Sequence, residues 1–391
     1  MIQLPGKNYL FALIIIAVIP TTIFLLLFLR EEKPLEILIM NKNVSSPSRI
    51  ENKTAFGIIN QNRIVRSNKK TYNRKKDYYG FFPLRPRRSK EFHFREIDSD
   101  AVDSLANHYD MAWFIDTYST SMDNWHGDSR NTDTSANHGG LTLSDYLFLE
   151  KMINRNKLVI AEFNFFASPT SETIREKTEE LTGVYWSGWT GMYYDNLDFT
   201  INEYLPLRIV EAYRSQSGGN WSYTGSGIIL AHENGSVLVL ENETHLDIEV
   251  PLITTTAGKA KKYGVIEKVH YPYRFDISYT ADTMDVISYY ELSVNEKGER
   301  LLKSNNIPSR FPAVIGNPNQ GNFFYHGGSF SNYDLPVLAG MLRSTRSLDF
   351  LFYNDNVESR SKFLWKYYNP FVSAVISNYY ISLSESAGKA K

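Results

Sequence analysis

Two acidic residues stand directly after apolar runs that are typical of buried strands. Asp116 follows residues 111–115 (MAWFI), and Glu162 follows residues 158–161 (LVIA). The carboxyl ends of parallel strands open on the same edge of a sheet, so we expect both carboxylates to meet in one pocket. Such a pair could act as acid and base in glycoside cleavage, because partial desolvation would raise the pKa of at least one of them. Holding loop backbone amides is the alternative role for a strand-end carboxylate.

A histidine and two hydroxyls lie on loops near these acids. His138 precedes Gly139 and Gly140, and it could act as a base or a ligand, or have no catalytic task. Ser168 and Thr170 could supply a nucleophile to the same pocket. The chain has no Gly-x-Ser-x-Gly elbow, however, so helix capping is the preferred interpretation of these hydroxyls. The two glycines and both hydroxyls are predicted to line the ligand pocket.

The helix and strand after this elbow contribute further predicted ligand contacts. Arg175 could join the helix N-terminus in holding an anionic group, or it could pair with Glu179 four residues later. Aromatic side chains after Gly183 could stack on sugar rings at the pocket mouth or fill the core; they are Trp186, Trp189, Tyr193 and Tyr194. Trp189, Tyr118 and Asn164 complete the predicted ligand site. No spacing of His, Asp and Glu indicates a metal site, and no cofactor is expected.

An alternation of strands and helices must position these residues. Residues 35–40 (LEILIM) predict a first strand, and residues 141–153 predict a helix with an apolar face that Thr142 can cap. The helix after the elbow is predicted to carry Pro169 in its first turn and to end at Gly183. Strand, helix, strand and helix in this order predict a parallel sheet with right-handed crossovers.

The chain between residues 191 and 310 favours strands and turns. Residues 227–240 (GIILAHENGSVLVL), with Asn-Gly at the centre, predict a hairpin. We expect this segment to be a β-rich elaboration of the α/β core and not an independent domain. Residues 121–138 are polar and without period, which indicates a long loop that could close over a ligand.

Several of these runs together resemble the class I glutamine amidotransferase-like superfamily, in particular its non-amidotransferase branches. The similarity is carried by WFIDTYS (residues 113–119), by residues 138–170 and by ELTGVYWSGWTG (residues 180–191). Residues 311–334 (FPAVIGNPNQGNFFYHGGSFSNYD) resemble the closing hairpin of that fold, where a final strand returns to the sheet edge. The resemblance covers residues 35–342 and implies an α/β fold with a flavodoxin-like parallel sheet and flanking helices.

The same resemblance also argues against the best-known activity of the superfamily. Its glutaminases have a cysteine nucleophile at the elbow and a His-x-Glu pair near the last strand. This chain contains no cysteine, and its His326 is followed by Gly327 and Gly328. Glutamine hydrolysis is therefore not expected.

Composition limits the function classes further. A chain of 391 residues with 42% hydrophobic content can bury at least one substantial core. The formal net charge of -1 argues against general nucleic-acid binding. Without cysteine there can be no disulfide, thiolate nucleophile or cysteine-ligated metal.

The N-terminal region predicts a membrane anchor. Residues 8–29 carry no charge and are dominated by Leu, Ile and Phe, a length that crosses a hydrocarbon core of about 30 Å as a helix. No small-x-small cleavage motif follows, so an uncleaved signal anchor is predicted. Flanking charges counted literally favour a cytoplasmic body. Long domains translocate largely regardless of charge, however, so we expect the main domain to be extracytoplasmic.

A basic segment follows the first strand. Residues 63–90 hold eleven Lys and Arg residues against the single acid Asp77, with five Tyr and Phe residues among them. This segment could bind an anionic polymer or lipid headgroups through charge and stacking, or it could be a solvated loop.

These observations predict a domain organisation and a function. The predicted parts are a cytoplasmic stub and anchor (1–34), an α/β domain (35–345) with a basic insertion (62–100) and the β-rich elaboration (191–310), and an aromatic helical tail (346–391). We expect a membrane-anchored domain that binds a carbohydrate or another cell-envelope component. The alternatives are an envelope glycan hydrolase that uses the paired carboxylates and a scaffold that docks through the basic segment.

Overall fold

The computed structural model describes residues 31–46, 48–83, 92–118, 139–317, 322–336 and 351–389, together with positions 14, 17, 18, 21 and 22. The strands in chain order are β1 (Lys33–Pro34), β2 (Ile37–Asn41), β3 (Ile64–Val65), β4 (Tyr79–Pro83), β5 (Phe92–Arg95), β6 (Met111–Asp116), β7 (Leu158–Ala161), β8 (Val184–Tyr194), β9 (Gly227–His232), β10 (Val237–Glu241), β11 (Leu252–Thr255), β12 (Lys268–His270), β13 (Arg274–Thr280), β14 (Asp285–Glu291), β15 (Arg310–Gly316) and β16 (Phe323–His326).

The helices flank the sheet on both faces. They are α1 (Lys53–Gln61), α2 (Val102–His108), α3 (Leu143–Asn154), α4 (Glu172–Thr182), α5 (Leu207–Ser217), α6 (Ala257–Tyr263), α7 (Glu296–Ser304), α8 (Ser361–Phe363) and α9 (Asn369–Lys389). A π-helical turn, Leu364–Tyr368, joins α8 to α9. Short 3₁₀ turns at Ile50–Asn52 and Ser99–Ala101 precede α1 and α2.

The main sheet has ten strands in the order β12-β11-β14-β15-β16-β7-β6-β2-β4-β5. Strands β16, β7, β6, β2 and β4 pair in parallel, and the strands outside them pair antiparallel. When the five parallel strands are numbered along the chain, their order across the sheet is 2-1-3-4-5, which is the flavodoxin-like order. The predicted mixed α/β fold with a parallel-containing sheet and flanking helices is confirmed.

The central strands form because their residues are apolar on both faces. Every residue of β2, β6 and β7 is buried. Trp113 and Ile160 pack on one face with Phe371 of α9, whereas Phe114 packs on the other with Phe148 of α3. A strand covered by helices on both sides reads as a continuous apolar run, which is why the sequence identified these strands.

The helix that follows β7 begins later in the chain than the sequence predicted. The helix α4 begins at Glu172 with Ser171 at its N-cap, so Pro169 is not in its first turn. Residues before it form a turn, in which the Thr170 amide donates to the Ala167 carbonyl. The predicted end is correct, because Gly183 adopts φ 68° there, a conformation that favours glycine.

The closing hairpin also differs from the sequence-based expectation. Strands β15 and β16 do pair antiparallel, but β16 lies between β7 and β15 in the interior of the sheet. The expected position at the sheet edge is wrong, since β11, β12, β14 and β15 extend the sheet beyond β16. The predicted hairpin β9–β10 is confirmed, with Gly235 at φ 93° in its turn.

A second, four-stranded antiparallel sheet has the order β10-β9-β8-β13. Phe275 of β13 packs in the same core as Phe311 of β15, which joins this sheet to the main one. The C-terminal helix α9 packs in that core as well, through Phe371, Val372 and Ile376. A small parallel pair, β1 with β3, completes the strands in the described part of the chain.

The predicted membrane span at residues 8–29 lies almost entirely outside the described residues. Within the part of the chain that the structure describes, no helix combines the length and apolar character that crossing a bilayer requires.

Candidate functional site

A cleft of about 480 Å³ opens beyond the carboxyl ends of β2, β6 and β7. Asn43, Tyr118 and Asn164 line it from the parallel sheet, while β8, β9 and the start of α5 form the opposite wall. In an open α/β sheet the ligand crevice lies where the strand order reverses, which is between β2 and β6 here. The cleft therefore stands at the position expected for a ligand site.

Asp116 lies beneath this cleft and is held by the residues that line it. Its carboxylate accepts hydrogen bonds from Asn43 Nδ2 at 3.0 Å and from the Tyr118 backbone amide at 2.8 Å. Asn164 Nδ2 approaches the same carboxylate at 3.5 Å. Burial raises the pKa of Asp116 to about 6, although these donors and the positive charge of Arg274 oppose the shift.

A second carboxylate near Asp116 is Asp276, which the sequence did not single out. It lies on β13 and is almost fully buried. Its carboxylate accepts hydrogen bonds from the Tyr325 hydroxyl at 2.7 Å and from the Asn164 backbone amide at 3.1 Å. Burial raises the pKa of Asp276 to about 7, and the charge of Asp116 adds to this rise. Asn164 thus contacts both acids, from a backbone with φ 65° that asparagine tolerates well.

Glu162 does not open onto the cleft, so the prediction that it shares a wetted pocket with Asp116 is wrong. Its side chain is fully buried. The carboxylate accepts from Trp113 Nε1 at 2.9 Å and the Tyr368 hydroxyl at 2.5 Å, and from the amide and hydroxyl of Ser331 at 3.0 and 2.7 Å. It lies on the face of the sheet that α9 and the π-helical turn cover. Nδ1 of His326 is 3.8 Å from it, beyond hydrogen-bonding distance.

Five of the predicted ligand contacts line the cleft, namely Tyr118, Asn164, Ser168, Trp186 and Tyr194. Tyr118 is 36% exposed, so its ring is accessible to a ligand. Arg175 stands next to the cleft, where it pairs with Glu233 at 2.7 Å, and not with Glu179. Its guanidinium lies 5.6 Å from the ring centroid of Trp186, which itself lines the cleft.

The other predicted site residues have structural positions. Thr170 is buried and accepts from the Leu141 amide, and Gly140 packs so closely on Pro169 and Thr170 that a Cβ would lie 2.4 Å from a backbone nitrogen. Trp189 is 8% exposed and packs in the core. Gly139 is not among the cleft residues. His138 and the loop predicted at 121–138 lie outside the described residues.

Sequence reasoning missed several cleft residues because they come from distant segments. Arg208 on α5, His232 on β9 and Arg274 on β13 all line the cleft. Asn43, two residues beyond β2, is another. Its position after the first strand of a parallel sheet was the one available signal, since strand-end residues line such crevices.

A buried ion pair fixes the loop that precedes α3. Lys42 follows β2 and its ammonium lies 2.6 Å from the Asp145 carboxylate and 2.7 Å from the Gly140 carbonyl. Asp145 also completes a capping box with Thr142. Both charges are almost fully buried, so each one depends on the other for its neutralisation.

The described part of the basic segment exposes lysines but not aromatic rings. Lys69, Lys70, Lys75 and Lys76 are exposed. Of the five aromatic residues in this segment, four are buried, namely Tyr72, Tyr78, Tyr79 and Phe81. The fifth, Phe82, is partly buried and stacks on Tyr78. The four buried rings cannot stack on an external ligand, as the sequence predicted for them. These four lysines are named the lysine patch below.

No family model matches the chain, and no curated protein matches its sequence. Among solved structures five chains match, and one of them is a ThuA-like protein from Parabacteroides merdae. It is 9% identical, with 75% of this chain and 79% of the other covered and a TM-score of 0.34.

Proposed function

We propose that this chain is a membrane-anchored, extracytoplasmic binding domain that takes a carbohydrate or another cell-envelope component in the cleft. The observation that carries the proposal is the lining of the cleft, where Tyr118, Trp186 and Tyr194 stand with the amides of Asn43 and Asn164. Aromatic rings bind the apolar faces of sugars, and side-chain amides bind hydroxyls as both donors and acceptors. Glutaminase activity is not proposed, because the chain has no cysteine.

The hydrolase alternative is disfavoured by the burial of Glu162. A glycosidase needs two carboxyl groups on either side of the scissile bond, and both must reach the substrate. Glu162 is sealed beneath Tyr368. Asp276, the other acid near Asp116, is almost fully buried and not among the residues that line the cleft. Binding is therefore the function that this geometry supports best.

Replacing Trp186 with alanine tests the binding proposal. The indole is oriented by its N–H, which donates to the Trp189 carbonyl at 3.1 Å, so little freedom is lost when a sugar stacks on it. We expect affinity for envelope-derived oligosaccharides, measured by calorimetry, to fall at least about tenfold, which is about 1.4 kcal/mol. Tyr185→Ala is the matched control, since Tyr185 is the neighbouring residue on β8, is exposed, and does not line the cleft. Equal binding by both variants would refute the proposed site.

We also propose that residues 8–29 anchor the chain and that the lysine patch contacts anionic lipid headgroups. Strand β1 begins at Lys33 and pairs with β3, which directly precedes the patch, so the patch starts close to where the chain would leave the bilayer. A variant without residues 8–29 should leave the membrane fraction but still sediment with vesicles of anionic lipid at low salt. Changing the four lysines to glutamine should abolish that sedimentation, because each basic residue contributes about 1 kcal/mol near such a surface. The proposal for the patch would be contradicted if the truncated variant with its four lysines did not sediment with the vesicles, or if its sedimentation did not depend on salt.

A further inference from the structure

Two exposed arginines belong to the lining of the cleft. Arg208, in the first turn of α5, and Arg274, at the start of β13, both line it and are exposed. Among the described residues, neither guanidinium forms an ion pair with a carboxylate. The Nε atom of Arg274 lies 3.4 Å from the thioether sulfur of Met192. Its guanidinium carbon lies 5.7 Å from the ring centroid of Tyr273.

The positive charges of these arginines act on the same group. Both lie close enough to the Tyr194 hydroxyl to favour its ionised form, against the burial that raises the pKa of Tyr194 to about 12. Tyr194 lines the cleft, and Arg274 stands opposite Met192, which lies two residues before Tyr194 on β8. The positive charge of Arg274 also opposes the rise in the pKa of Asp116 beneath the cleft.

The described lining of the cleft contains one acid, and this acid does not pair with either arginine. Glu233 is the exposed acid of the lining, and it is already paired with Arg175 at 2.7 Å. Among the described lining residues, one end of the cleft is therefore ion-paired and the other holds two guanidinium groups that no carboxylate pairs with. A planar guanidinium binds carboxylate, sulfate or phosphate oxygens in a paired geometry that a neutral hydroxyl does not match.

Both arginines stand on regular elements. The Arg274 carbonyl accepts from the Tyr271 hydroxyl at 3.0 Å and the Ser329 amide at 3.2 Å, which fixes the start of β13. Arg208 belongs to an eleven-residue helix. Groups held by rigid elements lose less freedom when they bind, which increases their contribution to affinity.

We propose that Arg208 and Arg274 form an anion subsite in the cleft and that the ligand is an acidic glycan, whose sugars carry an oxyanion group. This inference rests on the proposed carbohydrate function and adds the charge of its ligand. The aromatic wall would take the sugar ring, while the two guanidinium groups would take the anion.

The test compares oligogalacturonates with the same oligomers after methyl esterification, which removes the charge and keeps the sugar chain. The full-length chain in a mild detergent should bind the acidic form at least about tenfold more tightly than the ester. Arg208→Gln and Arg274→Gln should each remove most of this difference, because they weaken binding of the acidic form more than binding of the ester. Arg300→Gln, on exposed α7, is the charge-matched control and should bind like the parent. A sulfated galactose oligomer in the same assay shows whether carboxylate or sulfate is the preferred anion.

The possible failures are distinguishable. If acid and ester bind equally and the arginine variants change neither, the anion subsite is refuted while carbohydrate binding stands. If neither oligomer binds, carbohydrate binding is contradicted, and inorganic sulfate becomes the probe of the arginines. Sulfate should then raise the unfolding temperature of the parent more than that of the Arg208→Gln, Arg274→Gln double variant at equal ionic strength. Equal stabilisation of both would overturn the subsite.

Discussion

Replacing Glu162 with alanine should lower the free energy of unfolding by about 4 kcal/mol, because it removes a carboxylate that accepts hydrogen bonds from four buried donors. The indole of Trp113, the hydroxyl of Tyr368, and the amide and hydroxyl of Ser331 all donate to this carboxylate. Each buried donor left without a partner costs about 1–3 kcal/mol, and partial relaxation reduces the sum. Urea denaturation of the purified chain measures the effect.

Two further variants show whether the loss of stability is specific to the hydrogen bonds of Glu162 or follows from any substitution of a glutamate. Glu162→Gln keeps one acceptor oxygen and should lose about half as much stability, since its amide nitrogen faces donors and cannot accept from them. Glu176→Ala, on the exposed face of α4, should stay within about 0.5 kcal/mol of the parent. Oligosaccharide affinity of folded Glu162→Gln should equal that of the parent. A stable variant that has lost binding would instead return Glu162 to the functional site.

The sequence could not show that Glu162 faces away from the cleft. Strand-end acids look equivalent in a sequence, because the apolar runs before Asp116 and Glu162 are alike. What separates them is the cover provided by Tyr368, which lies 206 residues further along the chain. Contacts at that separation leave no local pattern. The strands β2, β6 and β7 could be predicted for the opposite reason, since burial on both faces is visible in their own residues.

The sequence did not identify Asp276 because the pattern of its strand predicts an exposed position for it. In residues 274–279 (RFDISY) apolar and polar residues alternate, which is typical of a strand with one solvated face. In the structure both faces of the middle of β13 are buried, and Asp276 points inward to Tyr325. An acid on the polar face of an alternating strand is normally exposed. The packing of two sheets against each other, which the sequence did not reveal, makes this one an interior group.

Because Asp276 is buried, stability should fall as the pH rises from about 4 to about 7. The pKa of an unfolded aspartate is about 3.9, whereas that of Asp276 is about 7 in the folded chain. Between these values the folded state keeps a proton that the unfolded state releases, so the unfolding free energy decreases by up to about 1.4 kcal/mol per pH unit. Above pH 7 both states are ionised and the loss is complete. Asp116, with a pKa of about 6, adds a smaller loss of the same sign.

Asp276→Asn should flatten this dependence and should be more stable than the parent above neutral pH. The asparagine oxygen can still accept from the Tyr325 hydroxyl and the Asn164 amide, so the neutral side chain reproduces the protonated acid. Urea denaturation across about pH 4 to 8 measures both slopes, and Asp116 should leave a residual slope below about pH 6. Asp282→Asn, the same change at an exposed site in the β13–β14 turn, should reproduce the parent curve. Identical slopes for parent and Asp276→Asn would mean that Asp276 is ionised throughout, and the interior around Tyr325 would then have to supply a counter-charge that the described residues do not contain.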